Sequence, residues 1–154
     1  MTKRLFLALL LLLPLGARAQ TAAQPELPKE PLVIVTRDGT RHTFNVEMAV
    51  KPDEQTVGLM WRTSVPPDGG MLFDWGTPRN STMWMRNTLV SLDMVFINAD
   101  GTIRSIAHNT TPRDETNIID SRGPVRATLE LAAGTAKRLG FNVADRVEHR
   151  IFTK

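Results

Sequence analysis

Arg41-His42-Thr43-Phe44-Asn45-Val46-Glu47-Met48 alternates along its length. Phe44, Val46 and Met48 fall on one side, and Thr43, Asn45 and Glu47 on the other. A period of two is the signature of a strand with one buried face. Leu32 to Thr36, just upstream, is a short β-branched run, and Asp38-Gly39 between them is a hairpin turn signal. The opening of the domain therefore reads as two antiparallel strands.

Downstream, Pro52 suits the first turn of a helix, and Asp53 and Glu54 suit the positive end of its dipole. Val57, Met60 and Trp61 share a side, which predicts a helix over Pro52 to Trp61 packed on the sheet. Pro- and Gly-rich loops follow at Pro66 to Gly70 and at Gly76 to Pro78. Met71 to Trp75, Thr82 to Arg86 and Leu89 to Asn98 read as strands, the last apolar on both faces. Thr102 to His108 returns after a turn, Arg113 to Gly123 reads as a polar loop, and Val125 to Leu131 as a strand. Thr135 to Leu139 is a short helix stopped by Gly140, and Asp145 to Phe152 closes the chain as a strand. Many short strands with one or two short helices predict a mainly β protein, an antiparallel sandwich or barrel.

The formal charge of +3 in 154 residues is unevenly placed. Lys3, Arg4 and Arg18 lie in the first 19 residues, which hold no acid; the remainder balances 16 basic against 16 acidic residues. Lys3 and Arg4, the apolar run Leu5 to Leu13, and Ala17-Arg18-Ala19 form the pattern of a cleaved secretory signal over residues 1–19. The expected location is periplasmic or secreted. No stable membrane insertion is expected after cleavage, and the neutral remainder gives no basic field for nucleic acid. Residues 20–31, with Pro25, Pro28 and Pro31, read as a flexible linker, and residues 32–152 as one domain. The chain has no cysteine. That removes thiolate nucleophiles, zinc–thiolate sites and disulfides, so the core alone must stabilise the fold.

Chemistry-bearing residues gather around Trp84-Met85-Arg86-Asn87-Thr88 and Asp93. On a strand, Trp84 and Arg86 share one face and Met83 and Met85 the other. Arg86, Asn87, Thr88 and Asp93 are candidate ligand-orienting groups at a sheet end, although Asn, Thr and Asp are also ordinary turn residues. The methionines Met48, Met60, Met71, Met83, Met85 and Met94 offer thioethers, which bind Cu(I). They lie in apolar segments with no spaced histidine, so they read as core and no metal or cofactor is expected. His42, His108 and His149 form no ligand pair, and no Gly-x-Ser-x-Gly elbow is present.

Five motifs in order carry a family resemblance: Gly58-Leu59-Met60-Trp61-Arg62, Gly70-Met71-Leu72-Phe73, Trp84-Met85-Arg86-Asn87-Thr88, Leu92-Asp93-Met94-Val95-Phe96-Ile97 and Leu129-Glu130-Leu131-Ala132-Ala133-Gly134. Together they resemble the bacterial and archaeal family known as domain of unknown function 192, over about Leu32 to Phe152. Family members usually carry Lys where Arg86 stands, and Gly where Ala144 precedes Asp145. The resemblance implies a jelly-roll-like β-sandwich and no established activity. The polar positions it shares are Arg62, Asn87, Thr88, Asp93 and Glu130. The leading expectation is an exported domain that binds a small molecule or glycan through Arg62, Trp84, Arg86, Asn87, Thr88, Asp93 and Glu130. A cell-envelope hydrolase using Asp93 or Glu130, and a structural or interaction module without a pocket, are the alternatives.

Overall fold

In the computed structural model, which describes residues 21–152, the alternating stretch forms β2 (Arg41–Ala49) against β1 (Lys29–Val35). Leu32 faces Phe44 and Ile34 faces His42 in antiparallel register. The turn is tied by Asp38, whose carboxylate accepts from the Thr36 hydroxyl at 2.6 Å and the Thr40 amide at 3.0 Å. The expected signal segment lies outside the described residues.

The remaining elements are α1 (Pro52–Val57), β3 (Met71–Met83), β4 (Leu92–Ile97), β5 (Ile103–Ala107), β6 (Ile119–Ala132), α2 (Thr135–Leu139) and β7 (Arg146–Glu148), with a final 3-10 turn at Arg150–Phe152. The strands form one seven-stranded sheet in the order β5-β4-β6-β3-β2-β1-β7. Its two edges meet: Thr102 bridges Arg146, the Ile103 amide donates to Asp145 O at 2.8 Å, and the Val147 amide to Gly101 O at 2.7 Å. The sheet is thus nearly closed into a barrel-like shape, one of the two architectures the strand pattern predicts, where the family resemblance implied a jelly-roll sandwich. One pair, β2–β3, is parallel, because the excursion through α1 returns the chain in the same direction.

Each face of the sheet carries a core. Leu32, Ile34, Phe44, Val46, Leu72, Val95 and Leu129 belong to one cluster, and Met71, Phe73, Met94 and Phe96 to the other. Alternate residues of β3 and β4 therefore enter different clusters, and all six residues of β4 are buried. That explains why this segment is apolar on both faces. Met71, Met83, Met85 and Met94 fill the second cluster beside aromatic rings.

Several boundaries differ from the sequence reading. The helix stops at Val57, short of Trp61, where Gly58 turns at φ 49°. A Cβ at Gly58 would lie 2.9 Å from the Phe73 ring, so only glycine lets this connection press onto β3. Met71–Trp75 and the residues up to Met83 are one strand, broken by irregularities between Asp74 and Arg79 and between Asn80 and Thr82. The polar stretch at 119–124 is strand rather than loop. Its backbone pairs with β3 while half of its side chains face solvent, so no apolar alternation marks it. The last strand ends at Glu148.

The linker expectation also needs correction. Gln24 donates to Glu54 O at 3.0 Å and Gly58 O at 2.9 Å, Leu27 packs on the second cluster, and β1 begins at Lys29. Residues 24–29 form a docked strap, because proline fixes an extended path without preventing side chains from packing.

Ala144 adopts φ 74°, left-handed backbone that disfavours any Cβ. Asp145 fixes this turn by accepting from the Arg37 amide at 3.1 Å and the Asn142 amide at 2.7 Å. Ala144→Gly is expected to stabilise the protein by about 0.5–1 kcal/mol in urea denaturation; a loss of stability would show that the turn carries no strain.

Candidate functional site

One register row crosses the outer face of the sheet: Lys29 of β1 opposes Glu47 of β2, Glu47 opposes Met71 of β3, and Glu130 of β6 opposes both Met71 and Met94. Two glutamates thus sit on one face with a methionine between them. Glu47 is the more connected. Its Oε2 accepts from Arg62 Nη2 at 2.9 Å and from the Leu27 amide of the strap at 2.8 Å. Its side chain is 7% exposed and that of Arg62 17%. This is a largely desolvated ion pair joining three segments: strap, β2 and the loop after α1. Arg62 Nε is buried without a hydrogen-bond partner. Oε1 of Glu47 has no partner among the described residues.

The pair lies in a cleft of about 450 Å³. Leu59, Val65 and Pro66 supply its apolar surface, and Asn45, Thr63, Ser64 and Asp68 its polar surface. Glu26 and Lys29 of the strap form one wall and pair with each other at 3.1 Å. Gly70 forms the floor, and a Cβ there would fall 2.3 Å from the Glu130 carbonyl oxygen. Only glycine lets β3 enter the sheet this close to β6.

Of the seven candidate ligand-binding residues read from the sequence, Arg62 alone lines this cleft. Trp84 is 42% exposed, and the Arg86 guanidinium sits 5.4 Å from its ring and 3.8 Å from Glu115. Asn87 makes a left-handed turn at φ 55°, and its carbonyl accepts from the Trp61 amide at 2.9 Å. Thr88 is buried, with its hydroxyl donating to Arg86 O at 3.3 Å. This motif is a clasp that holds the 58–62 connection. Asp93 is fully buried, with one oxygen accepting from the Asn109 amide at 2.9 Å and the other from the Ala136 amide at 2.8 Å. Both of its oxygens bind backbone, as a loop anchor requires. Glu130 is buried, and desolvation pushes its carboxyl up to about 8, so it is neutral at pH 7. It does not line the cleft.

Glu47 escaped the sequence reading because the alternation of β2 put it on the polar side, where a carboxylate is ordinarily solvated. Its burial depends on the strap and on Arg62, which are remote in sequence. Among the described residues no three histidine or acidic side chains cluster as a metal site. No helix there is long and apolar enough to cross a membrane.

Residues 33–149 match the family described as an uncharacterized ACR, DUF192. The chain belongs to the DUF192 family. A solved structure from Sinorhizobium meliloti 1021, named as a candidate transcription regulator, is 48% identical; the alignment covers 84% of this chain and 99% of that one at a TM-score of 0.80. A solved structure of a protein of unknown function from Novosphingobium aromaticivorans DSM 12444 is 38% identical, covering 86% of this chain and 94% of that one at a TM-score of 0.77. Comparison with functionally curated proteins gives no match.

Proposed function

We propose that this chain is an exported domain, periplasmic or secreted, that binds a small molecule or glycan in the cleft beside the Arg62–Glu47 pair. The carrying observation is Glu47, a carboxylate more than nine-tenths buried that lines the cleft and keeps one oxygen without a hydrogen-bond partner among the described residues. Pairing with Arg62 offsets the cost of burying this charge, and the second oxygen keeps solvent contact, where a ligand donor can replace water. The signal-like residues 1–19 support export. The neutral charge balance of the remainder keeps nucleic acid out of the proposal.

The hydrolase alternative gains no support from position. Asp93 is used up by backbone amides, and Glu130, although neutral and buried, lies outside the cleft lining.

A thermal-shift screen of small polar compounds tests the reading. Compounds that stabilise the wild type should lose most of that shift in Arg62→Met and keep it in Trp84→Ala. Retention in Arg62→Met with loss in Trp84→Ala would move the site to the Trp84 face.

A further inference from the structure

Resting on the binding reading above, we infer that the cleft selects a hydroxyl-rich sugar ring without negative charge. The inference comes from the donors and acceptors left over once the cleft has satisfied itself. Both cations are already paired, Arg62 with Glu47 and Lys29 with Glu26. Asp68 lines the cleft, and its carboxylate has no partner among the described residues. Glu47 Oε1 is likewise open. The formal charge of the lining is therefore −1, and its two strongest free groups are anionic acceptors.

Acceptors of this kind call for donors. A hydroxyl donating to a carboxylate makes a charge-assisted bond, roughly twice as strong as a neutral one. Adjacent hydroxyls on one ring can serve Glu47 and Asp68 together, while the Asn45 amide both donates and accepts at the same opening. An anionic ligand would meet Asp68 and Glu47 as like charges, and the two cations among the described lining residues, Arg62 and Lys29, are already paired. Leu59, Val65 and Pro66 offer an apolar wall to the C–H face of a ring. Among the described residues no aromatic side chain lines the cleft, so they offer none of the stacking that strengthens many sugar sites. Affinity for a single ring is therefore expected to be weak, and the volume of about 450 Å³ leaves room for a second ring.

Three probes of one shape separate charge from fit: glucose, glucosamine in its cationic form, and glucuronate. Amide NMR titration of the protein without residues 1–19 should show glucose and glucosamine shifting Asn45, Glu47 and residues 62–70. Glucuronate should bind at least about fivefold more weakly, as one uncompensated like charge at a solvated site implies. In Asp68→Asn, whose side chain is exposed and outside the core, that gap should narrow to about twofold or less. Glucuronate binding as well as glucose, or a gap unchanged in Asp68→Asn, would overturn the charge selection and leave the cleft as the site. If none of the three moves the cleft while other small polar compounds do, the sugar class falls alone. If no compound moves it, the binding reading falls with it.

Discussion

Glu130→Gln is expected to stabilise the protein by about 3 kcal/mol at pH 7 and by about 5 kcal/mol above pH 8. The reason is an uncompensated burial. Glu130 lies between Met71 and Met94 on the face of the second core, and desolvation lifts its carboxyl from 4.5 to about 8. In the unfolded chain the group returns to its ordinary value. Between those two values the folded protein holds a proton that the unfolded chain has released. Stability is therefore full below about pH 4.5 and declines as pH rises through 8. Glutamine keeps the shape and polarity of the neutral acid but has nothing to ionise. Urea denaturation of both proteins across this range should give curves that meet in acid and diverge in alkali. Parallel curves would show that Glu130 is solvated or paired. Because Glu130 does not line the cleft, ligand affinity should be unchanged.

Glu47→Ala is the largest expected loss, about 3 kcal/mol in the same assay. The carboxylate neutralises Arg62 and holds the strap through the Leu27 amide. Removing it leaves a mostly buried guanidinium, already lacking a partner at Nε, without its counter-charge. It also leaves the Leu27 amide unsatisfied. Limited proteolysis should then cut residues 24–28 faster than in the wild type. The double variant Glu47→Ala/Arg62→Ala should cost clearly less than the sum of the single variants, because the second change removes the stranded charge. Additive losses would mean that the two side chains do not act as a pair.

Where local pattern decides structure, the sequence was legible. The period of two in β2, the Asp38-Gly39 turn and the Gly140 stop all hold. The unbroken apolarity of β4 reported burial on two faces. Long-range pairing was not legible. Residues 119–124 are strand only because β3 lies alongside, and the meeting of the outer strands depends on bridges between residues more than 40 positions apart. The Trp84 to Asp93 region stood out for its polar side chains, and the structure spends Thr88 and Asp93 on backbone groups and turns the Asn87 side-chain amide to the Met60 sulfur. Arg62 was legible only through a family motif. Its partner Glu47 sat unmarked in the very stretch whose alternation showed β2.

The cleft is tested most directly by mapping a library of small polar fragments on assigned amide spectra of the protein lacking residues 1–19. Shifts should concentrate at Asn45, Glu47, Arg62 to Asp68 and the strap residues Glu26 and Lys29, and should vanish in Arg62→Met. Shifts gathered instead around Trp84 and Arg86, with the Arg62 loop silent, would contradict a binding cleft at the Arg62–Glu47 pair.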